Sequence, residues 1–68
     1  MKTAGELRPG DVWEDRPQCR VGHTYRVIAV QPGLARTTIR VVVEQLPERH
    51  RRILNLFREN QLEVQPRP

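Results

Sequence analysis

The densest run of chemistry-bearing side chains is Arg49-His50-Arg51-Arg52, three guanidinium groups and an imidazole in four residues. Guanidinium groups grip phosphate through paired N–H donors and stay charged at any ordinary pH. If the chain folds back through Pro47, Arg36, Arg40 and Arg58 join this run in a hairpin whose tip straddles a phosphate backbone. The competing reading is a solvated loop tip, partly neutralised by Glu44 and Glu48. Trp13 and Tyr25 are two of three aromatic residues, Phe57 being the third. An exposed ring stacks on a base or anchors a partner protein. If Val12 points into the core, Trp13 points out of it. The alternative is that Trp13 closes one end of the core, because large aromatic rings are mostly buried.

Other reactive groups form weaker patterns. Cys19 and His23 have the spacing of half a zinc site, with Asp11, Glu14 and Asp15 nearby. Structural zinc normally takes four ligands, commonly as two such pairs. The second pair is missing, and His50 stands alone, so no metal is expected. A Cys/His nucleophile pair needs an orienting third group and an oxyanion hole in a concave site. The four glycines, at 5, 10, 22 and 33, form no phosphate-cradling loop. The expectation is a non-enzyme without a cofactor.

These side chains must be held by short strands. Five apolar runs rich in β-branched residues are separated by Pro17 with Gly22, Pro32-Gly33, Pro47 and Glu59-Asn60. The runs are 12–14, 24–31, 37–46, 52–57 and 62–65. The clearest is Ile39, Val41 and Val43 alternating with Arg40, Val42 and Glu44, the period of a strand. Tyr25, Val27 and Ala29 are expected on one face of the second run, with Arg26, Ile28 and Val30 on the other. Residues 47–60 read two ways. As a helix, Leu46, His50, Ile53, Leu54 and Phe57 form one stripe. As a strand followed by one helical turn they complete a barrel, whereas four strands and a helix leave more edge exposed. The strand is favoured. The expected core is Val12, Val27, Ile39, Val41, Val43 and Leu54.

The 68 residues allow one domain, with 1–8 and 66–68 as loose tails. At this size only about 60% of the unfolded surface is buried. The 12 basic residues outnumber 8 acidic ones, and all but Lys2 are arginine. Seven of the basic residues fall in 35–68 against four acidic ones. A basic surface suits phosphate backbones or acidic partners, although a genome's base composition also favours arginine. One cysteine, no signal-like apolar segment and no run of ~20 apolar residues read as a cytoplasmic protein without membrane contact.

The order of strand, long loop, strand, tight turn, strand, turn, strand, one helical turn and strand resembles a small five-stranded SH3-like β-barrel, an all-β fold. Gly10-Asp11-Val12-Trp13-Glu14-Asp15, with Gly22 and Arg26-Val27 following, is similar to small domains of actinobacteria and their phages that open with a Gly-x-Val-Trp-Glu-Asp signature. In this chain Cys19-Arg20-Val21 replaces a more regular arginine-rich approach to the glycine. The resemblance implies a fold and a compact binding module, and supplies no activity.

Two functions follow. One is a module that contacts a nucleic-acid backbone through Arg36, Arg40, Arg49, Arg51 and Arg52, with Trp13 or Tyr25 for stacking. The other is a protein-interaction module, such as a phage-encoded regulator or inhibitor of a host protein, with Trp13 as anchor and an arginine rim for an acidic partner. Thermal melts with and without a strong chelator are expected to coincide; a large chelator-induced loss would reveal a structural metal.

Overall fold

A computed structural model describes residues 2–15 and 22–65. Six strands and one 3-10 turn follow in order: β1 (Lys2–Thr3), the 3-10 turn (Ala4–Glu6), β2 (Val12–Asp15), β3 (His23–Pro32), β4 (Thr38–Leu46), β5 (His50–Phe57) and β6 (Gln61–Leu62). The chain is all-β. β2, β3, β4 and β5 form an antiparallel meander in that order, and β1 pairs with β6 in a separate two-stranded ladder. Among the described residues these two sheets do not join into a closed barrel. No helix among the described residues is long and apolar enough to cross a membrane.

The period-two run of β4 sets the two faces of the meander. Ile39, Val41 and Val43 are 0–2% exposed and point inward. Residues opposite one another across an antiparallel ladder share a face. Val43 faces Val27, and Val41 faces Leu54. Each such buried aliphatic side chain contributes about 1.5–3 kcal/mol.

The second run departs from plain alternation. The register shifts between Val27 and Ala29, leaving Ile28 as the extra residue of a β-bulge. Val27 sits inside opposite Val43, but beyond the bulge Val30 sits inside opposite Val41. Ala29, opposite Val42, lies on the outer face. The expected grouping of Tyr25, Val27 and Ala29 therefore fails at its last member.

Four other expectations are corrected. Residues 50–57 are a strand, as favoured, but 58–60 are a turn closed by the Asn60 N–H on the Phe57 carbonyl (3.1 Å), not a helical turn. The one 3-10 turn lies instead at Ala4–Glu6. The fifth run, expected over 62–65, is split into β6 and a single bridge from Val64 to Trp13. The opening residues are no loose lead-in: Lys2 and Thr3 pair with Leu62 and Gln61, and Ala4 and Leu7 are core residues. In β2 the phase is reversed, so that Trp13 is buried and Val12 half-buried; Leu54 is also only half-buried. Residues 66–68 lie outside the described part.

Asp11 explains how the opening residues are held. It is 1% exposed and follows a Pro9-Gly10 turn in which Gly10 has φ 94° and the Asp11 N–H donates to the Arg8 carbonyl (3.0 Å). Proline before a positive-φ glycine is the type II arrangement. The Asp11 carboxylate accepts the Arg8 N–H (2.9 Å) and the Lys2 ammonium (3.4 Å). The Val27 N–H donates to its main-chain carbonyl (2.8 Å).

Asp11→Ala is expected to cost about 1.5–3 kcal/mol, the range for hydrogen bonds to a charged acceptor. Lys2→Ala should cost less than about 1 kcal/mol, since its side chain is 40% exposed and water screens the pair. Urea unfolding of both variants measures the difference, and equal losses would contradict this ranking.

Candidate nucleic-acid interface

The pairing of β4 with β5 through the Pro47 turn runs unbroken from Thr38 opposite Phe57 to Gln45 opposite His50. This is the hairpin that the sequence suggests, but it does not gather the arginines at one tip. β4 is nine residues long, roughly 27 Å at about 3.4 Å per residue. Arg36 precedes it and Arg49 follows it, so they lie at opposite ends.

Strand alternation divides the remaining arginines. Arg51 lies on the outer face opposite Glu44. Arg26, also on that face, pairs with Glu44 (3.7 Å). Arg52 has the opposite phase, and its Nη1 donates to Gln45 Oε1 (2.9 Å). Gln45 in turn donates through Nε2 to His23 Nδ1 (3.1 Å). Arg49 sits in the turn with φ 65°, its N–H on the Gln45 carbonyl (2.8 Å). One phosphate chain on one face thus meets Arg51 but not Arg52.

The expected stacking residues are inside. Trp13 is 3% and Tyr25 6% exposed, with ring centroids 5.3 Å apart and planes tilted by 42°. They pack against each other across the β2–β3 ladder, a tilted contact worth about 0.5–1.5 kcal/mol beyond burial. Neither offers a free ring face to a base. Cys19 lies outside the described residues. Among those described, no three His, Cys, Asp or Glu side chains gather as a metal-holding group.

The ring that is available is Phe57, 62% exposed at the end of β5. It lines a shallow pocket with Arg36 and Arg58. Arg58 Nε donates to the Arg36 carbonyl (2.8 Å), which joins the β3–β4 loop to the end of β5. That loop is tight: a Cβ on Gly33 would lie 2.7 Å from the Thr38 carbonyl, so only glycine fits. Thr38 Oγ1 accepts the Ala35 N–H (3.2 Å) and donates to the Ala35 carbonyl (3.1 Å), fixing the loop that carries Arg36.

Arg40 belongs to the same patch. It faces Asn55, one diagonal step from Phe57 on the outer face, a separation of about 7–8 Å that long side chains bridge. The sequence reading missed Phe57 as a site residue. The signal was its phase: in a strand that buries Leu54 and Leu56, Ile53 and Phe57 must point out.

A buried Trp13 should emit at short wavelength and resist quenching by iodide. Quenching close to that of a free tryptophan would return the ring to the surface. Comparison of the chain with protein-family models, curated proteins and solved structures finds no match.

Proposed function

We propose that this chain is a non-enzymatic module that binds single-stranded nucleic acid on the outer face of its meander. The observation that carries the reading is the exposed Phe57 ring, which lines one pocket with Arg36, Arg58 and Glu59, with Arg40 one diagonal step away. An aromatic platform flanked by cations suits a stacked base and its neighbouring phosphates. Arg51 extends the basic line along the same face. Arg49 at the Pro47 turn adds charge at its far end. The contact is backbone-directed, since the patch offers charge and one ring rather than fixed donors for base edges.

The fold proposed for this module is the SH3-like barrel. Its support is the path of the chain after β6: Val64 bridges Trp13, and the Gln65 N–H donates to the Val12 carbonyl (2.7 Å). The C-terminal residues thereby return to the first strand of the meander, as barrel closure requires.

Fluorescence anisotropy with mixed-sequence oligonucleotides tests the function. Single strands should bind more tightly than duplexes, and binding should weaken steeply with salt. Changing Arg36, Arg40 and Arg58 together to Ala removes three phosphate contacts and should flatten the salt slope by about 2 units. Phe57→Ala should lose about 1–3 kcal/mol of affinity per stacked base and leave that slope unchanged. Absence of wild-type binding at low salt would overturn the reading.

A further inference from the structure

The meander is open along one side. β2 is covered on its outer edge by Val64 and Gln65. β5 is the terminal strand at the other edge and has no strand partner there among the described residues. Only its end is capped, where the Gly5 N–H donates to the Arg58 carbonyl (3.0 Å) and the Ala4 N–H to the Asn60 carbonyl (2.7 Å). Residues 53–57 of this edge, Ile-Leu-Asn-Leu-Phe, carry no charge. An unpaired strand edge of this kind is a template for another strand.

A groove lies beside that edge. It is lined by Leu54 and Leu56 of β5, by Leu62 and Glu63, and by Trp13 and Tyr25. Glu14 and Asp15 complete the lining together with Asn60 and Gln61. The chain has 12 basic and 8 acidic residues. Among the described residues, three acidic side chains line this groove and no basic one does. The described lining is therefore acidic, with Asp15 and Glu63 both exposed.

We propose that this groove receives an extended, basic segment of a partner protein, which adds as a strand to the free edge of β5. Main-chain hydrogen bonds to β5 supply the register, as in other strand-addition modes. Alternate side chains of the incoming strand then point into the groove, because side chains alternate across a strand. Apolar ones meet Leu54, Leu56 and Leu62, and basic ones meet Asp15 and Glu63. This surface meets the Phe57 patch at Asn60 and at the end of β5, but the proposal does not rest on nucleic-acid binding.

Trp13 is the only tryptophan and reaches the groove, so its emission reports occupancy. The probe is a ten-residue peptide in which every second residue is Thr and the residues between alternate Val and Arg, so that one face carries both, titrated into the intact chain. A saturable change in Trp13 emission is expected, with none from the Val/Glu counterpart. Asp15→Arg with Glu63→Arg, both at exposed positions, should weaken binding at least tenfold. Glu48→Arg, in the Pro47 turn, should leave it unchanged. Methylating alternate peptide nitrogens should abolish binding in one phase and spare it in the other. The proposal falls if the Val/Arg peptide gives no saturable response, if the Val/Glu peptide responds equally, or if Glu48→Arg weakens binding as much as the double variant. It also falls if both methylated phases bind alike, or if an oligonucleotide reproduces the Trp13 change. A Trp13 change that grows with protein concentration alone would make a second copy the occupant and overturn it too.

Discussion

One carboxylate, that of Asp11, governs how the first quarter of the chain meets the rest. A charged group that is 1% exposed is tolerated only where its oxygens are bonded. The Arg8 N–H and the Lys2 ammonium, both from residues before it, bond its Oδ2. The main chain on either side then locks to β3, with the Gly10 N–H on the Val27 carbonyl and the Val27 N–H on the Asp11 carbonyl, both 2.8 Å. Lys2 lies in β1, which pairs with β6. A single buried charge thus links the two-stranded ladder, the turn and the meander. In a chain of 68 residues with few buried large side chains, such a polar tie specifies a placement that apolar contact alone leaves loose.

Much of the meander was legible because β4 obeys a strict period of two and its neighbours answer it. Ile39, Val41 and Val43 could be placed inside with no knowledge of their partners. Val12 and Trp13 could not. A strand of four residues carries too little alternation to fix its phase, and the inward ring is decided by Tyr25 across the ladder and Val64 on the far side. Residues 2–7 read as polar lead-in because only Ala4 and Leu7 are apolar there. Ala4 and Gly5 are bonded to the distant 58–60 segment, and local pattern does not report such pairing.

The arginine cluster was legible as composition and illegible as geometry. Four residues adjacent in sequence form a block of charge on paper. On a strand, neighbours point to opposite faces, so Arg51 joins Glu44 and Arg26 while Arg52 joins Gln45 and His23. The same alternation turns Phe57 outward and brings it near Arg40. Parity also sorts some of the charge among the described residues, although Glu44 shares the arginine-bearing face. The outer face keeps Arg26, Arg40 and Arg51, whereas the groove along the seam keeps Glu63 and Asp15.

The bulge at Ile28 bears on how the length of this chain can change. Removing one residue from a regular strand exchanges inside and outside for everything beyond the cut. Across β3 and β4 the pairing on the two sides of Ile28 already differs by one residue, Val27 with Val43 and Ala29 with Val42. Loss of Ile28 alone would make the ladder regular while keeping Val30 opposite Val41 and Ala29 opposite Val42. The inner face would be unaltered, and only the bend that the extra residue gives the strand would be lost. Position 28 is thus a point in the described β3–β4 ladder where a one-codon deletion leaves the interior in phase, while a deletion at Val41 or Val42 would turn half of β4 inside out.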